Sequence, residues 1–280
     1  YSEFNAEYVL SFGADFLSTW VSPTQWQVGY GEFRDSDHSH RGIMTHVDSR
    51  FSVTASNADR WIPITPGQEG KLALSIAYVI IEEQLYPSGV DVNSLTSGQG
   101  LSSLAAYSPE NIGNQLGAPE HVLGAHSVPE LIRTVAREFA SHTPAIAIGG
   151  GTAGASTNGL FNLEAIYLLN HLVGSVGKVG GVILNPESPV KNLKATSNAH
   201  TLSDLEELIR DIKSSKIKMV IMNNVNPVYG SPDWIGLEAV LNSDDIYVVS
   251  IDSFMNETNH YADMILPDRN FIEDWGNDIP

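Results

Sequence analysis

Short apolar runs alternate with amphipathic stretches along most of the chain, and this alternation constrains the fold more than any other feature. Residues 145–148 have the length and composition of a buried strand. Residues 127–142 begin with Ser127, Pro129 and Glu130, which are typical start signals of a helix. Buried strands that alternate with helices form βαβ units around a parallel sheet. The sequence therefore predicts an α/β protein with mostly parallel sheets.

The predicted elements fall into two groups, separated by a segment without periodicity. Residues 87–124 are rich in Ser, Gly, Pro and Asn, with one short helix near residues 108–116. We place a domain boundary near residue 125 and predict two Rossmann-like α/β/α domains, over residues 1–125 and 126–280. Because Tyr1 is not an initiator Met, we also expect a fragment of a larger chain. Strands are predicted at residues 7–12, 43–47, 145–148, 219–222 and 247–250, and helices at residues 68–85, 127–142, 162–173 and 202–214.

Polar and glycine-rich loops directly follow the five predicted strands. In open α/β sheets, ligands bind beyond the carboxyl ends of the strands. Glycine lets the backbone approach a ligand there, and backbone N–H groups bind anions. The same residue types are common in ordinary turns, but their recurrence at every strand end favours a nucleotide-type site. The loops are Gly13-Ala14-Asp15, Asp48-Ser49-Arg50, Gly149-Gly150-Gly151-Thr152, 223–227 and 252–258.

Composition excludes several classes of function. Lys and Arg number 15 against 33 Asp and Glu, so the net charge is −18, which disfavours a nucleic-acid partner. The chain has no cysteine, which excludes disulfides, thiolate catalysis and ordinary iron–sulfur ligation by this segment. Neither a P-loop nor a G-x-G-x-x-G after a strand is present, so ATPase and NAD-binding interpretations are weak.

Histidine and aromatic residues leave further alternatives. His38 and His40 form an H-x-H pair in an acidic loop, for which a solvated loop is favoured over a metal site. His171 lies in an apolar predicted helix and is expected to be a packing residue. The aromatic residues near the amino terminus form either a docking patch or a core cluster beneath a loop. These are Trp20, Trp26, Tyr30 and Phe33.

Four stretches, in order along the chain, carry a resemblance to a known family. Residues 6–15 read AEYVLSFGAD, like the family's first strand and Gly-Ala-Asn loop. Residues 47–70 contain VDSR, Thr54, ADRWIPI and PGQEG, like the run D-P-R…T…A-D-x-W-x-P-I-x-P-G-T-D. Asn226-Pro227 is similar to a G-x-N-P loop, and residues 252–267 are similar to D-x-F-x-x-E-T-x-x-Y-A-D-x-x-L-P. Over nearly its whole length the chain thus resembles the molybdopterin oxidoreductases of the dimethyl sulfoxide reductase superfamily.

The resemblance implies the molybdopterin oxidoreductase fold and a site for a pterin guanine dinucleotide, either functional or vestigial. It implies no catalytic residue and no metal ligand in this segment, since the molybdenum ligand of catalytic members lies upstream. Residues 180–189 also lack the Gly- and Asn-rich loop that many members carry. The implied cofactor-binding residues are Gly13, Asp15, Asp48, Arg50, Gly149, Gly151, Asn226, Pro227, Asp252, Glu257, Thr258 and Asp263.

Residues 13–23, GADFLSTWVSP, resemble more closely the molybdopterin-like, iron–sulfur subunit of alternative complex III, a respiratory or photosynthetic quinol:electron acceptor oxidoreductase. This implies a scaffold that binds no cofactor itself, on the periplasmic side of the membrane. Partner subunits would carry iron–sulfur clusters, haem c and the quinol site. The alternative is a fragment of a catalytic molybdenum enzyme with two molybdopterin guanine dinucleotides, such as a polysulfide or thiosulfate reductase. Both interpretations imply other subunits of an electron-transfer complex as partners, and no nucleic acid.

Overall fold

The computed structural model of the protein describes residues 5–35, 41–118, 127–185, 200–270 and 272–275. The chain forms two compact units, unit 1 (Tyr1–Leu184) and unit 2 (Asn185–Pro280). The strands are β1 (Tyr8–Phe12), β2 (Ile43–Val47), β3 (Arg60–Ile62), β4 (Ala145–Gly149), β5 (Met219–Asn223), β6 (Tyr247–Asp252) and β7 (Met264–Pro267). The α-helices are α1 (Pro23–Arg34), α2 (Val53–Asn57), α3 (Glu69–Glu82), α4 (Val92–Leu95), α5 (Pro109–Ile112), α6 (Val128–Ser141), α7 (Gly159–Leu172), α8 (Leu202–Lys213), α9 (Pro227–Gly230) and α10 (Leu237–Leu241).

Unit 1 is built on a four-stranded, all-parallel sheet with the strand order β3-β2-β1-β4. At the carboxyl end of β1, Phe12 lies opposite Val47 on one side and Gly149 on the other. The three strands therefore end at the same level, and the loops that follow them meet at one edge of the sheet.

Alternate residues of β1 point to the two faces of this sheet, and both faces are covered. Tyr8, Leu10 and Phe12 are fully buried in a cluster that includes residues of α3, α6 and α7. Val9 belongs to a second cluster, which includes Trp26 of α1. Period-two alternation with apolar residues on both faces is what a strand between two helical layers requires. Unit 1 is thus a three-layer α/β/α structure.

Unit 2 has a three-stranded, all-parallel sheet with the order β5-β6-β7. Its buried cluster joins Met222 and Val248 of the sheet to apolar residues of α8 and α10, such as Ile212 and Val240. Thr201 and Asp204 form a capping box at the start of α8, which satisfies backbone N–H groups there. The predicted α/β fold with parallel sheets is confirmed. Of the helices that the described ranges contain, none is long and apolar enough to cross a membrane.

The structure divides the chain near residue 184, whereas the predicted boundary near residue 125 falls inside unit 1. The reason is that β4 pairs with β1 in register, so residues 145–149 complete the first sheet. The helices α6 and α7 also pack on α3. The low-periodicity segment 87–118 therefore holds short helical turns within one unit.

Two further expectations are settled by burial. The aromatic residues Trp26 and Phe33 are buried and Trp20 and Tyr30 pack against their cluster, so the core interpretation holds and the docking patch does not. The prediction that His171 is a packing residue is not met, because it lies on the exposed side of α7. The pair His38 and His40 lies outside the described residues.

We predict that the stability of unit 1 depends on the buried apolar face of α3. Ile76 is 0% exposed in the main cluster, so Ile76→Ala is expected to lower the free energy of unfolding by about 2–5 kcal/mol. Val28 on α1 is 62% exposed, and Val28→Ala is expected to change it by less than about 0.5 kcal/mol. Urea denaturation of both variants tests this, and equal losses would contradict the assignment of the core.

Candidate functional site

The loops after β1, β2 and β4 are held together by backbone contacts at the carboxyl edge of unit 1. The N–H of Gly13 donates to Val47 O at 2.8 Å, and the N–H of Gly150 donates to Phe12 O at 3.1 Å. Gly13 has φ of +64°, and a Cβ there would lie 2.4 Å from Thr152 Oγ1. Glycine is therefore required at Gly13 by the close approach of the chain to itself.

Asp15 is the centre of the first polar network at this edge. Its carboxylate accepts hydrogen bonds from the Thr54 N–H at 3.2 Å and the Thr54 hydroxyl at 2.7 Å. The guanidinium of Arg50 lies 3.1 Å from the other carboxylate oxygen. The Asp15 side chain is 8% exposed, so these donors offset most of the cost of removing its charge from water. Asp15 thereby ties the loop after β1 to the loop and helix after β2.

Asp48, in the loop after β2, is the centre of a second polar network. Its Oδ1 atom accepts hydrogen bonds from the Arg50 N–H at 3.3 Å and the Thr152 hydroxyl at 3.1 Å. Its Oδ2 atom lies 3.6 Å from Nε2 of His46. Burial raises the pKa of the Asp48 carboxyl, but the His46 ring and the Arg50 N–H outweigh burial and leave that pKa below its usual value. Asp48 is therefore an internal carboxylate that joins β2 to the loop after β4.

His46 lies beneath Asp48 in β2 and is 0% exposed. Its Nδ1 atom is 3.0 Å from the hydroxyl of Ser11, on the neighbouring strand β1. At 3.6 Å, the contact of its Nε2 with Asp48 is longer than an ordinary hydrogen bond. Neither Nε2 nor Asp48 Oδ2 has a hydrogen-bond partner among the described residues.

Glu69, the first residue of α3, adds a third buried carboxyl group at 1% exposure. Asn162 of α7 donates to its Oε2 atom at 3.0 Å and also accepts the Gly70 N–H at 3.1 Å. Burial raises the pKa of Glu69, and the charge of Asp48 adds to that increase. The N–H groups of Glu69 and Gly67 only partly oppose it. Three carboxyl groups are therefore enclosed at the carboxyl side of one sheet.

Trp20 covers part of the glycine loop after β4. A Cβ on Gly150 would lie 2.3 Å from Nε1 of the Trp20 indole, so any side chain at residue 150 would displace the ring. Trp20 also stacks at a tilt on Trp26, with 5.2 Å between the ring centroids. The approach to the Gly150 backbone is thus occupied by a side chain of the protein itself.

In unit 2, Asn226 and Thr258 connect the loops after β5 and β6. The Thr258 hydroxyl donates to Asn226 Oδ1 at 2.7 Å and accepts the Val228 N–H at 3.0 Å. Asn226 Nδ2 donates to Glu257 at 2.6 Å, and this bond holds the pKa of the exposed Glu257 carboxyl below its usual value. Pro227, the first residue of α9, fixes the backbone between these groups.

A groove of about 440 Å³ lies at the carboxyl edge of unit 2, and its lining combines Asp252, Asp268 and Arg269 with the aromatic rings of Phe254 and Trp275. Asp252 accepts hydrogen bonds from the Phe254 N–H at 3.1 Å and from Asn256 at 2.7 Å. Asn224 donates to Asp268 at 2.9 Å. The groove therefore presents carboxylate and amide oxygens beside one guanidinium, in contrast to the packed edge of unit 1.

The structure brings the predicted residues together within each unit, with one exception. Gly13, Asp15, Asp48, Arg50, Gly149 and Gly151 lie at the carboxyl edge of unit 1, and Asn226, Pro227, Asp252, Glu257 and Thr258 lie on the loops at the carboxyl edge of unit 2. Asp263 lies at the opposite end of its sheet, because it accepts the Val248 N–H at 2.7 Å near the start of β6. The cofactor-binding role of these residues stays a prediction.

Sequence reasoning missed His46, Asn162 and the position of Trp20. His46 stands in an otherwise buried strand, and Asn162 is fully buried within an apolar helix. Polar residues inside apolar elements are the signal for buried networks. Among the described residues, no group of three or more His, Asp or Glu is arranged to hold a metal ion.

Comparison with known proteins identifies the class of this α/β fold with polar loops at its carboxyl edges. A sequence model of the molybdopterin oxidoreductase family matches residues 5–278. The chain therefore belongs to the molybdopterin oxidoreductase family.

Several curated relatives match most of the chain. The menaquinone reductase molybdopterin-binding-like subunit of Nitratidesulfovibrio vulgaris is 26% identical over 266 residues, which cover 94% of this chain and 36% of the relative. The thiosulfate reductase molybdopterin-containing subunit of Salmonella typhimurium is 28% identical, with 82% of this chain and 34% of the relative covered. The chain spans about a third of the length of these relatives.

Acetylene hydratase from Pelobacter acetylenicus is a solved structure with a similar fold. The TM-score is 0.64 at 20% identity, and the match covers 98% of this chain and 42% of that structure. At this identity the likeness supports the molybdopterin oxidoreductase fold alone.

The cofactor that the family implies would bring a pyrophosphate to such strand ends, and the residues at the edge of unit 1 do not fit it. Asp15, Asp48 and Glu69 are buried carboxyl groups, which repel an anion unless it is neutralised. One nitrogen of the Arg50 guanidinium is paired with Asp15, while 64% of the Arg50 side chain is exposed. The Trp20 indole lies against Gly150, where a phosphate would approach the backbone. We therefore derive no chemical step through this group.

Glu69 generates a prediction about pH. Its pKa is higher in the folded protein than its ordinary value, so folding favours the protonated form. The contribution of Glu69 to stability is then fully present below its unfolded pKa, about 4.3, and is lost as pH rises through its folded pKa. Glu69→Gln is therefore expected to raise the melting temperature at pH 7 and to leave it nearly unchanged near pH 4.

Glu110 supplies the matched control for this experiment. Its hydrogen bond to Arg133 lowers the pKa of the Glu110 carboxyl, so Glu110→Gln is expected to reduce the melting temperature slightly at pH 7. Melting curves of both variants from pH 4 to pH 8 provide the test. A Glu69→Gln variant that is less stable than the wild type at pH 7 would contradict the assignment.

A second prediction concerns the loops of unit 2. Thr258 is 0% exposed, and Thr258→Val leaves the Val228 N–H and Asn226 Oδ1 without this partner. The expected loss is about 1–3 kcal/mol, together with faster amide exchange at Val228. Thr258→Ser keeps the hydroxyl and should lose less. Urea denaturation and amide hydrogen exchange are measured on both variants, and a loss for Thr258→Ser as large as that for Thr258→Val would contradict the importance of the hydroxyl.

Proposed function

We propose that this chain is a molybdopterin-like structural segment of a membrane-bound, quinone-linked oxidoreductase complex. In this proposal the segment takes no part in electron transfer. Iron–sulfur clusters and haem c elsewhere in the complex carry the electrons between the quinol and the acceptor. The segment is an α/β scaffold that positions the cluster-bearing parts, and alternative complex III is the type of complex proposed.

The observation that carries the proposal is that side chains of unit 1 itself occupy the carboxyl edge of its sheet. Thr54, Thr152 and the Arg50 N–H, which could donate to an anion, donate instead to Asp15 and Asp48. The Trp20 indole occupies the approach to Gly150. A segment with its own side chains at these positions fits a structural role better than a cofactor-dependent one.

The relatives and the composition support the same proposal. The menaquinone reductase relative has a subunit described as molybdopterin-binding-like, which fits a quinone-linked complex. The absence of cysteine means that this segment itself supplies no thiolate for an iron–sulfur cluster. Its net charge of −18 favours protein partners over nucleic acid. A periplasmic position beside the membrane subunits is part of the proposal.

The alternative is a fragment of a catalytic molybdenum enzyme that holds pterin guanine dinucleotides. The groove of unit 2 favours it, because Asp252 and Asp268 offer oxygens suited to the N–H groups of a base and the hydroxyls of a ribose. The molybdopterin-containing subunit of thiosulfate reductase is a relative of this kind. The two proposals differ in whether the complex contains molybdenum.

Metal and pterin analysis of the intact, purified complex tests the proposal. We expect iron in cluster and haem amounts, with molybdenum, tungsten and pterin at background. Quinol oxidation should persist after growth on tungstate. The thiosulfate reductase of Salmonella typhimurium, treated in the same way, is the positive control for pterin release. One molybdenum atom per complex, lost together with activity on tungstate, would refute the structural role and favour the catalytic alternative.

A further inference from the structure

Ser11, His46 and Asp48 form a chain of buried polar groups where β1 and β2 reach the carboxyl edge of unit 1. Ser11 and His46 are 0% exposed and Asp48 is 1% exposed. The hydroxyl of Ser11 donates to Ala14 O at 3.3 Å, and its oxygen lies 3.0 Å from Nδ1 of His46. A hydroxyl has a single hydrogen, so a hydroxyl that donates to Ala14 accepts a hydrogen bond from Nδ1. This geometry places a hydrogen on Nδ1 of His46.

The opposite side of the His46 ring faces a carboxylate. Nε2 lies 3.6 Å from Asp48 Oδ2, and within the described residues neither atom has a hydrogen-bond partner. If Nε2 carried no hydrogen, two lone pairs would face each other inside the protein, away from water. Buried polar groups without a partner are costly and rare. A hydrogen on Nε2 removes this conflict, because the N–H then faces a carboxylate oxygen.

The charge of Asp48 gives an independent reason for a hydrogen on both ring nitrogens. Its Oδ1 atom accepts hydrogen bonds from the Arg50 N–H and the Thr152 hydroxyl, and such donors favour the ionised carboxyl group. A carboxylate enclosed to this degree needs a positive partner. The guanidinium of Arg50 pairs with Asp15 instead. Among the cationic side chains of the described residues, His46 is the one in ion-pair contact with Asp48.

We propose that His46 is a buried imidazolium that forms an ion pair with Asp48 and acts as a proton-dependent lock on the carboxyl edge of unit 1. The positive ring holds the Asp48 carboxylate, and that carboxylate joins the loop after β2 to Thr152 in the loop after β4. Loss of the ring proton leaves the carboxylate without its cation, so the two loops are then joined less firmly.

The other charged groups at this edge set the pH range of the lock. Asp15 is paired with Arg50, and Glu69, at the start of α3, is a buried carboxyl group whose pKa the charge of Asp48 helps to raise. Neither supplies a cation to Asp48. The lock is therefore formed above the lowered pKa of the Asp48 carboxyl and is lost at higher pH, where the ring of His46 gives up its proton.

Nitrogen NMR of the His46 ring in the full chain tests the lock. The nine histidines are labelled with ¹⁵N, and His46→Gln identifies the His46 signals. At pH 6 we expect both ring nitrogens of His46 to carry a hydrogen. In Asp48→Asn the carboxamide can donate to Nε2, so the ring is expected to become neutral with a bare Nε2. His171, on the exposed side of α7, is the control whose signals Asp48→Asn should leave unchanged.

Amide hydrogen exchange at Arg50 measures the effect of the lock on the loops, because the Arg50 N–H donates to Asp48 Oδ1. From pH 6 to pH 9, exchange in the wild type is expected to accelerate roughly tenfold more than the intrinsic chemical rate. In His46→Gln an uncharged amide N–H replaces the ring as donor, so exchange should follow the intrinsic rate. An equal excess acceleration in His46→Gln would assign the effect to another group and overturn the lock.

A neutral His46 ring at pH 6 would overturn the proposal in either of its forms. A bare Nδ1 would mean that Ser11 donates to the ring, and a bare Nε2 would mean that a water molecule donates to both Nε2 and Asp48. If Asp48→Asn does not fold, the wild-type spectrum alone decides between the charged and the neutral ring. The inference goes beyond the proposed function and does not rest on it, because the molybdenum content of the complex leaves the protonation of His46 undetermined.

Discussion

The parallel pairing of β1 between β2 and β4 is the constraint on which the rest of unit 1 depends. Since Phe12 lies level with Val47 and Gly149, three loops must leave the sheet at the same height. The loops therefore contact one another at this edge of the sheet. Gly13 is forced to be glycine by the chain from β4, and Thr152 reaches Asp48 across the same gap. The architecture of the edge follows from the register of the strands.

Three buried carboxyl groups lie at this edge, and the free-energy cost of burying each one is offset in a different way. Asp15 has a guanidinium and the two donors of Thr54. Asp48 has a backbone N–H, a hydroxyl and the ring of His46, which together keep its pKa low. Glu69 has no cation partner among the described residues, and burial raises its pKa. Donors that elsewhere would bind an anionic ligand are thus used to stabilise carboxylates of the protein.

The sequence predicts the elements whose apolar pattern is strong and misses those whose pattern is weak. The helices α3 and α6 lie within a few residues of their predicted bounds, because long periodic faces and a Ser127 cap identify them. The strand β3 has three residues and β7 is exposed with a Pro at its end, so neither has a buried run. The helix α1 contains two glycines and little periodicity. The boundary near residue 125 differs because strand pairing at long range, here β1 with β4, is not visible in local composition.

The site is predictable to the level of loops but not of contacts. Strand ends followed by Gly, Asn and Asp locate the predicted loop residues, except Asp263, at the two edges, since parallel sheets collect such loops. The sequence does not reveal whether these groups face a ligand or one another. That depends on which side chains reach them, such as Trp20 over Gly150 and Thr54 against Asp15.

Both units have parallel sheets, but the residues at the carboxyl edges of the two sheets differ in burial. This difference matters for what membership of the family implies about function. Unit 1 encloses its carboxylates and covers its glycine loop, whereas unit 2 leaves Asp252, Asp268 and Arg269 around an open groove. A fold preserves the positions of loops, while function depends on the groups those loops present. In unit 1, Thr54, Thr152 and the Arg50 N–H donate to Asp15 and Asp48, so many of the groups at that edge serve to hold its own loops together. At the edge of unit 2, Asp252 and Asp268 accept hydrogen bonds from neighbouring loop residues and also border the groove, so the same loop positions present different groups in the two units.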